Sequence, residues 1–535
     1  MVAPRLRRAR GRRPLPWATV GLLLALTVPA SADAARRDRW TPALKLGPKR
    51  VAIDDRYLTT TAADRPAAPG TIGPAEALRV GPSANGDRAL LTADGRRVIL
   101  RGANVAALVD YGGAHGTVPV TAADGVQARA LGLNVVRLAI SWSRIQPQPQ
   151  VIDRGYLAEV ERAARVFADR GIYVLLDMHH DRYAANLGQP SYVEADGAPA
   201  WAVDTGGASC SSLIGSLQGH GRYYTTPCAA AAAQAFWDDR TVGGRPLQQA
   251  YADAVAAATA TGRRLGPAFA GIELYNEPVS PDPAWPPSWA EERLFPFYAR
   301  LVARLRRDGY RGPIWFEPFG PAAARFAGGD GQLVFAPHLY TDVFGGDVDA
   351  GSEGRLGAAY DEARQQAAAF GAALVPGEFP GAGGGPWEAY RRWQLGLQDR
   401  HLTGGVVWVW KQHPTKDYGW GVLAADGGLR PGSRIALDLG RPRLVAAEPR
   451  VLAQEADDDE LTVRTAGAGT VELWTGAATG AAAARGAAPS LTVDGRAADG
   501  VEIVRAAATL PGTSLGGRRL RVRVGAGRHL LRLAP

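Results

Sequence analysis

Two glutamates stand at matched places in this chain. Glu277 lies near the end of Gly271-Ile272-Glu273-Leu274-Tyr275-Asn276-Glu277-Pro278, and Glu378 lies in Ala373-Leu374-Val375-Pro376-Gly377-Glu378-Phe379-Pro380. Each follows an apolar run of β type, and Pro278, which cannot donate to a ladder, turns the chain into a loop. Two carboxyl groups delivered at two strand ends are what cleavage of a glycosidic bond requires. Glu277 is expected to serve as general acid/base and Glu378 as nucleophile of a retaining reaction, with carboxyl groups about 5–5.5 Å apart. A single glutamate at a strand end more often caps a helix or pairs with an arginine. Two in matched context, on candidate strands four and seven, shift the balance toward chemistry.

The neighbours of the pair have the right chemistry to tune it. The proton donor needs a raised pKa while the nucleophile stays ionised. Arg137 and Tyr340 can hold Glu378 charged and aimed, and Asn276 can reach a sugar 2-hydroxyl. His179 and His338 sit at strand ends, where they can bind sugar hydroxyls or steer the carboxylates. Trp408 offers an indole face as the floor of a sugar subsite, and strict alternation would put Trp410 on the same face. Other carboxylates compete. Glu273 lies roughly 13 Å further down an extended strand, better placed to pair with Arg137. Glu317, before Pro318, is the strongest rival, and Asp177 and Asp181 flank His179-His180 and can orient them; all rank as supporting groups. Adjacent His179 and His180 diverge on a strand, so a shared metal ion is not expected. The segment from Trp285 to Phe297, with Trp289 and Phe295, either lines an apolar groove or packs its own helix.

The elements that would position these groups alternate as strand and helix, the pattern of a parallel α/β sheet. Ala89 to Arg101, turning at Asp94-Gly95, reads as a hairpin whose second arm runs into Gly102-Ala103-Asn104. Strands follow at Asn134–Ile140, Ile172–Met178, Gly271–Asn276, Ile314–Phe319, Leu333–Pro337, Ala373–Glu378 and Gly405–Trp410. Counted from Val98 they number eight, enough to close a (β/α)8 TIM barrel, whose chemistry sits at the C-terminal strand ends. Tyr156 to Arg170, apolar at Leu157, Val160, Ala164 and Phe167, is an amphipathic helix stopped by Gly171. Ser288-x-x-Glu291 reads as a capping box opening a helix to Asp308. Asn186 to Arg245 is too long for an ordinary connection and reads as a lid or specificity element. Beyond Val451, short alternating runs at Leu461–Arg464, Thr470–Trp474, Leu491–Val493, Val501–Val504, Leu520–Val524 and His529–Leu533 suggest an antiparallel β-sandwich. The expected organisation is therefore 1–32 export signal, 33–86 irregular leader, 87–451 barrel and 452–535 sandwich.

Composition sets the compartment and excludes some partners. An arginine-rich start, the apolar stretch Trp17 to Val28 and Ala30-Ser31-Ala32 make an export signal, so a secreted protein is expected. The first 32 residues carry six arginines and no acidic residue, so their removal takes the formal charge from +9 to +3. The basic balance then belongs largely to targeting, and no nucleic-acid partner is implied. The two cysteines, Cys210 and Cys228, share the long insert, and an oxidising compartment favours a disulfide between them.

Taken together, Asn-Glu-Pro after strand four, His338-Leu339-Tyr340 after strand six, Gly-Glu-Phe after strand seven, Arg137 on strand two and Trp408 on strand eight resemble glycoside hydrolase family 5, the cellulase-like barrels. Within it, Asn134-Val135-Val136-Arg137-Leu138, Ser141-Trp142-Ser143-Arg144-Ile145 and Gly171 through His179 resemble endoglycoceramidases. Those enzymes cut between oligosaccharide and ceramide and carry a C-terminal sandwich. The resemblance spans roughly residues 90 to 535. It implies retention of configuration, no metal or organic cofactor, a glycan or glycolipid substrate, and contact with lipid surfaces or micelles. A β-glucan or other β-glycoside is the alternative substrate, and a non-catalytic carbohydrate- or lipid-binding protein is the alternative class. Two positions depart from the family pattern: His180 stands where glutamine is usual, and Pro380 where glycine is common.

Overall fold

The computed structural model describes residues 76–109, 117–184, 187, 196–210, 226–278, 280–281, 288–317, 330–343, 348–414, 417, 419–478, 489–510 and 513–534. The expected export signal, most of the leader, parts of the insert and Trp285 lie outside these residues. No helix among the described residues is long and apolar enough to cross a membrane.

The site is carried by a parallel sheet. Its strands are Leu100–Leu108 (β1), Val135–Ile140 (β2), Tyr173–Met178 (β3), Phe269–Glu273 (β4), Ile314–Phe316 (β5), Leu333–Phe335 (β6), Ala373–Leu374 with Phe379–Pro380 (β7) and Gly404–Trp408 (β8). One edge of the sheet is Ala373–Leu374, on β6, and the other is Phe379–Pro380, on β8. These edges are consecutive pieces of one run that bonds on both sides. Val375 and Gly377 donate N–H groups to the carbonyls of Phe335 and Pro337 at 3.0 and 3.1 Å, while Val406 donates to Pro376 at 3.1 Å. The sheet therefore curls until its ends share a strand, consistent with a TIM barrel.

Inside, chemistry changes with height. Leu100, Val135, Leu175, Ala270, Trp315, Val334, Ala373 and Val406 form an apolar plug toward the strand starts. Above it the inward residues become Asn104, Arg137, Asp177 and Glu273, with Asn104 level with Arg137 and Asp177 level with Glu273. Register on β4 is set at Gly271, where φ is +133° and a Cβ would lie 2.3 Å from the Pro313 carbonyl oxygen. A side chain there would push β4 from β5 and displace everything that follows it.

Around the sheet the expected helices are present. Arg154–Ala168 is capped by Asp153, whose carboxylate accepts from the Tyr156 N–H at 2.9 Å, and it buries Leu157, Val160, Ala164 and Phe167. The helix expected from Ser288 differs. It begins with a π-turn, Ala290–Leu294, before Phe295–Arg307. The reason is Pro296, which lacks the N–H a regular first turn would direct back toward Glu292.

In the insert, Cys210 and Cys228 are joined by a disulfide. Helix Pro227–Trp237 packs Phe236 and Trp237 against Tyr251, Tyr275 and Phe297, with Trp289 edge-on to Trp237 at 4.9 Å. Phe295 packs on Phe370. The described aromatics of the Trp285–Phe297 segment thus pack helices, the second of the two expected employments.

All six expected C-terminal runs are strands, divided between two antiparallel sheets. Leu444, Val471, Leu473 and Val522 from one sheet share a hydrophobic cluster with Val463, Leu491, Leu531 and Leu533 from the other. The first of these sheets recruits chain from far upstream: Val98 pairs with Ala446, so the hairpin expected to lead into the barrel is also part of this sheet, with Arg79–Pro82 outside it as the edge. Its other apolar face, through Leu90, Val98 and Ala446, sits on the barrel plug.

Candidate active site

Arg137 is the centre of the mouth. It is fully buried, and its Nε donates to Glu273 Oε2 at 2.6 Å, Nη2 to Asn276 Oδ1 at 2.8 Å, and Nη1 to both Glu378 Oε1 at 2.7 Å and Asn104 Oδ1 at 2.9 Å. Asp177 Oδ2 lies 3.1 Å from the same Nη1. Thus one cation is shared by three carboxylates.

Glu378 sits in the gap of β7. Its backbone bridges to His338, and the Leu339 N–H donates to its carbonyl at 2.9 Å. Gly377 allows this approach, because a Cβ there would be 3.0 Å from the Ala336 carbonyl oxygen and 3.2 Å from His338 Nε2. The second carboxylate oxygen, Oε2, accepts from the Tyr340 hydroxyl at 2.7 Å. Glu277 reaches the same space from the opposite side. Its φ is +40°, a left-handed conformation that costs a residue with a Cβ about 1–3 kcal/mol. The turn is held by Glu317, whose Oε1 accepts from the Glu277 N–H at 2.7 Å.

His338 joins the two sides. Its Nδ1 is 2.7 Å from Glu277 Oε1 and 3.5 Å from Glu378 Oε2, and one ligating atom from each of the three lies within 4.8 Å of the others. That separation suits a carboxylate that attacks directly, whereas inverting pairs stand about 6.5–9.5 Å apart to admit a water. Glu273, Glu317 and His338 make a second cluster of the same size. Arg137 already supplies positive charge beside Glu378 and Glu273.

The electrostatics separate the two glutamates in degree. Burial, reinforced by the charge of Asp181, pushes Glu277 up to about 8. It therefore holds a proton at neutral pH, as a general acid must. Glu378 is also raised by burial, opposed by His338 and Arg137. The expectation of a nucleophile held low is modified here, because Arg137 divides its charge among three acids. Burial similarly raises Glu273 to about 7.

The remaining expected residues are placed as follows. His179 Nδ1 meets Asp177 Oδ2 at 2.7 Å; this pairing overcomes burial and pushes its pKa up to about 9. Its ring stacks on Trp408, 5.1 Å between centroids and 9° between planes. His180 turns the other way, edge-on to Tyr275, so the two histidines diverge. Asn276 spends its oxygen on Arg137 and donates from Nδ2 to the His180 carbonyl at 2.9 Å, leaving one amide hydrogen for a ligand. Trp410 does not share a face with Trp408. It is buried, with Nε1 donating to Asp124 at 2.7 Å. Alternation fails because the ladder ends at Trp408.

Two residues of the site escaped the sequence reading. Asn104 ties Arg137 to the carbonyls of Gly377 and Val407, and only its place as a polar residue on an apolar strand signalled it. Trp420 stacks on Tyr340 at 6.0 Å from a loop with no periodicity.

Known proteins fit this frame. Residues 91–239 match the family model for cellulase (glycosyl hydrolase family 5). That segment is similar to the family 5 glycoside hydrolases, and the barrel around it is of the kind that family uses. Its relatives point to a narrower group. It is 31% identical over 242 residues to the endoglycoceramidase of Cyanea nozakii, covering 39% of this chain and 46% of that protein. It is 29% identical over 232 residues to endoglycoceramidase I of Rhodococcus hoagii (strain 103S), covering 39% of this chain and 43% of that protein. The chain thus spans less than half the length of the curated relatives it matches. Among solved structures it is similar to an endogalactoceramidase, with 28% identity, a TM-score of 0.67, and coverage of 85% of this chain and 99% of that one.

Proposed function

We propose that this chain is an exported retaining β-glycosidase that releases oligosaccharide from ceramide in glycosphingolipids. The observation that carries the mechanism is the approach of Glu277, His338 and Glu378, with ligating atoms within 4.8 Å. In the first step Glu378 bonds to the anomeric carbon while Glu277 passes its proton to the departing oxygen. In the second, Glu277, now a carboxylate, takes a proton from water, and the hydroxyl displaces Glu378 from the sugar. Arg137 and Tyr340 hold the nucleophile's two oxygens throughout, and Asn276 is the candidate partner for the sugar 2-hydroxyl. His179 and Trp408, stacked together, would border the sugar.

Preference for a ceramide leaving group is supported by the relatives named endoglycoceramidase and by the likeness to endogalactoceramidase. Secretion is supported by the first 32 residues and by the disulfide. The two C-terminal sheets, sharing one cluster, would form the sandwich expected from the sequence. The decisive experiment incubates the protein with a ganglioside and with a β-glucan in parallel. Free ceramide beside intact oligosaccharide is expected. Shortened glucan without ceramide would replace the lipid assignment with a glucanase, and turnover of neither, nor of an aryl β-glycoside, would leave a binding protein.

A further inference from the structure

Glu317 is a buried acid for which the two-carboxylate reaction has no use. It follows β5 directly, is 1% exposed, and its carbonyl accepts from the Tyr298 hydroxyl at 2.8 Å, which fixes its backbone. One of its carboxyl oxygens does two things. Oε1 accepts the Glu277 N–H at 2.7 Å and stands 3.3 Å from His338 Nε2. That nitrogen has no hydrogen bond among the described residues, so the 3.3 Å approach is a contact still to be closed. The opposite nitrogen of the same ring meets Glu277 Oε1 at 2.7 Å.

We propose that Glu317 is a positioning residue for the proton donor: its carboxyl clamps the left-handed turn at Glu277 and backs the far nitrogen of His338, whose near nitrogen orients the Glu277 carboxyl. The inference rests on Glu277 being that donor. Burial and the charges of Glu273 and Glu277 push the Glu317 pKa well above the ordinary carboxyl range, while burial drives His338 down to about 3. The imidazole is therefore neutral and has one N–H. With a proton on Glu317, Nε2 is the acceptor, and Nδ1–H donates to Glu277 Oε1. The proton of Glu277 is thereby confined to its other oxygen. It departs to the glycosidic oxygen in the first step and is replaced from water in the second; the protons on Glu317 and His338 stay in place. The Nδ1–H bond serves Glu277 in both of its protonation states.

The test uses leaving groups. Glu317→Ala should lower kcat/KM, which reports the first step alone, roughly tenfold to a hundredfold on an alkyl β-glycoside, whose leaving oxygen needs a proton, part of the 10²–10⁴ range of acid–base assistance. On a 2,4-dinitrophenyl β-glycoside, which departs without one, the loss should stay under about threefold. Glu317→Gln, whose amide oxygen accepts from the Glu277 N–H but cannot also donate to Nε2 as a protonated Oε1 does, should recover the part of the rate that comes from the clamped turn. Equal losses on both substrates, no loss on either, or a glutamine variant as poor as the alanine variant would overturn the proposal. Nitrogen-15 NMR of His338 gives a reading independent of turnover. Nδ1 protonated and Nε2 bare in the wild type, with mixed tautomers in Glu317→Ala, is expected; the reverse tautomer in the wild type defeats the idea. A wild type inactive on both glycosides would instead defeat the glycosidase assignment, while the NMR result still decides the role of Glu317.

Discussion

Two buried clusters in this protein use the same residue types in opposite ratio. At the mouth, a single guanidinium, Arg137, faces Asp177, Glu273 and Glu378. In the antiparallel sheet beneath the barrel, a single buried carboxylate, Glu472, faces Arg96, Arg519 and Arg521, with Arg519 Nε at 2.6 Å and Arg521 Nη2 at 2.7 Å, while the exposed Glu76, Asp94 and Glu502 reach Arg96 and Arg521 from the solvent side. Burial raises carboxyl pKa values in both places, but the outcomes diverge. At the mouth Glu273 reaches about 7 and Glu277 about 8, and only Asp177, which has His179 as well as Arg137 against it, is held below its ordinary value in spite of burial. In the sheet, Arg519, Arg521 and Arg96 overcome burial and hold Glu472 below its ordinary value. Scarcity of positive charge leaves acids that keep exchangeable protons, which is a capacity for catalysis. A surplus makes a permanent anion, which is a staple.

The comparison breaks most visibly if the mouth tolerates substitution. Glu378→Ala should reduce turnover of an aryl β-glycoside by about 10⁴-fold or more, corresponding to about 5 kcal/mol of barrier. A residual rate above a few per cent of wild type would remove Glu378 from the nucleophile's role. Glu277→Ala should be next, losing roughly 10²–10⁴ in kcat/KM on substrates with poor leaving groups and far less on 2,4-dinitrophenyl glycosides. In the wild type, kcat/KM should fall on the alkaline side with an inflection near the Glu277 value of about 8, since the ionised form cannot donate. That limb should vanish in the alanine variant; its persistence would assign it to another group.

What could be read from the sequence follows from how local each signal is. Glu277 and Glu378 announce themselves through a carboxylate at the end of an apolar run, and the positions of Arg137, His338 and Tyr340 follow from the same punctuation. Two of the acids on Arg137, Glu273 and Glu378, were legible in the sequence, but Asp177 and the tie through Asn104 were not, because they depend on register between strands: Asn104 level with Arg137, and Glu273 level with Asp177. Trp410 was misplaced since alternation presumes a ladder, and the ladder ends at Trp408. The hairpin's pairing with Arg443–Ala447 joins segments some 350 residues apart, as Val98 with Ala446, and nothing local marks such a partner. Glu472 had no signal at all, being one charged residue in a strand whose three arginine partners arrive from elsewhere.

The sheet cluster sharpens the comparison through stability. Glu472→Gln removes the buried anion that the three guanidinium groups share, while Arg96 keeps Glu76 and Asp94 and Arg521 keeps Glu502, so the loss in urea unfolding should be about 1–3 kcal/mol, short of the cost of a wholly uncompensated buried charge. The kcat of the folded fraction should be unchanged. Because the folded pKa of Glu472 is depressed, its contribution is present above the unfolded value of 4.5 and lost as pH falls through the folded one. The glutamine variant should therefore show a shallower acid limb in Tm than wild type. Unaltered stability would mean that the arginines are screened and that their surplus is incidental.

The most discriminating effect has the opposite sign. Glu277 has a folded pKa of about 8 against an ordinary 4.5, so between those values the folded state holds a proton that the unfolded state has released. Stability from this group is complete below 4.5 and drains as pH rises toward 8. Glu277→Gln keeps the shape of the neutral acid and cannot ionise. Its Tm should match wild type near pH 4.5, then exceed it by a margin that widens to several degrees by pH 8 and stays constant beyond. A margin already full at acid pH would trace the gain to hydrogen bonds made by the amide and not to loss of an ionising group. A widening one ties it to the proton, and so to the same shortage of positive charge that lets this carboxyl act as an acid.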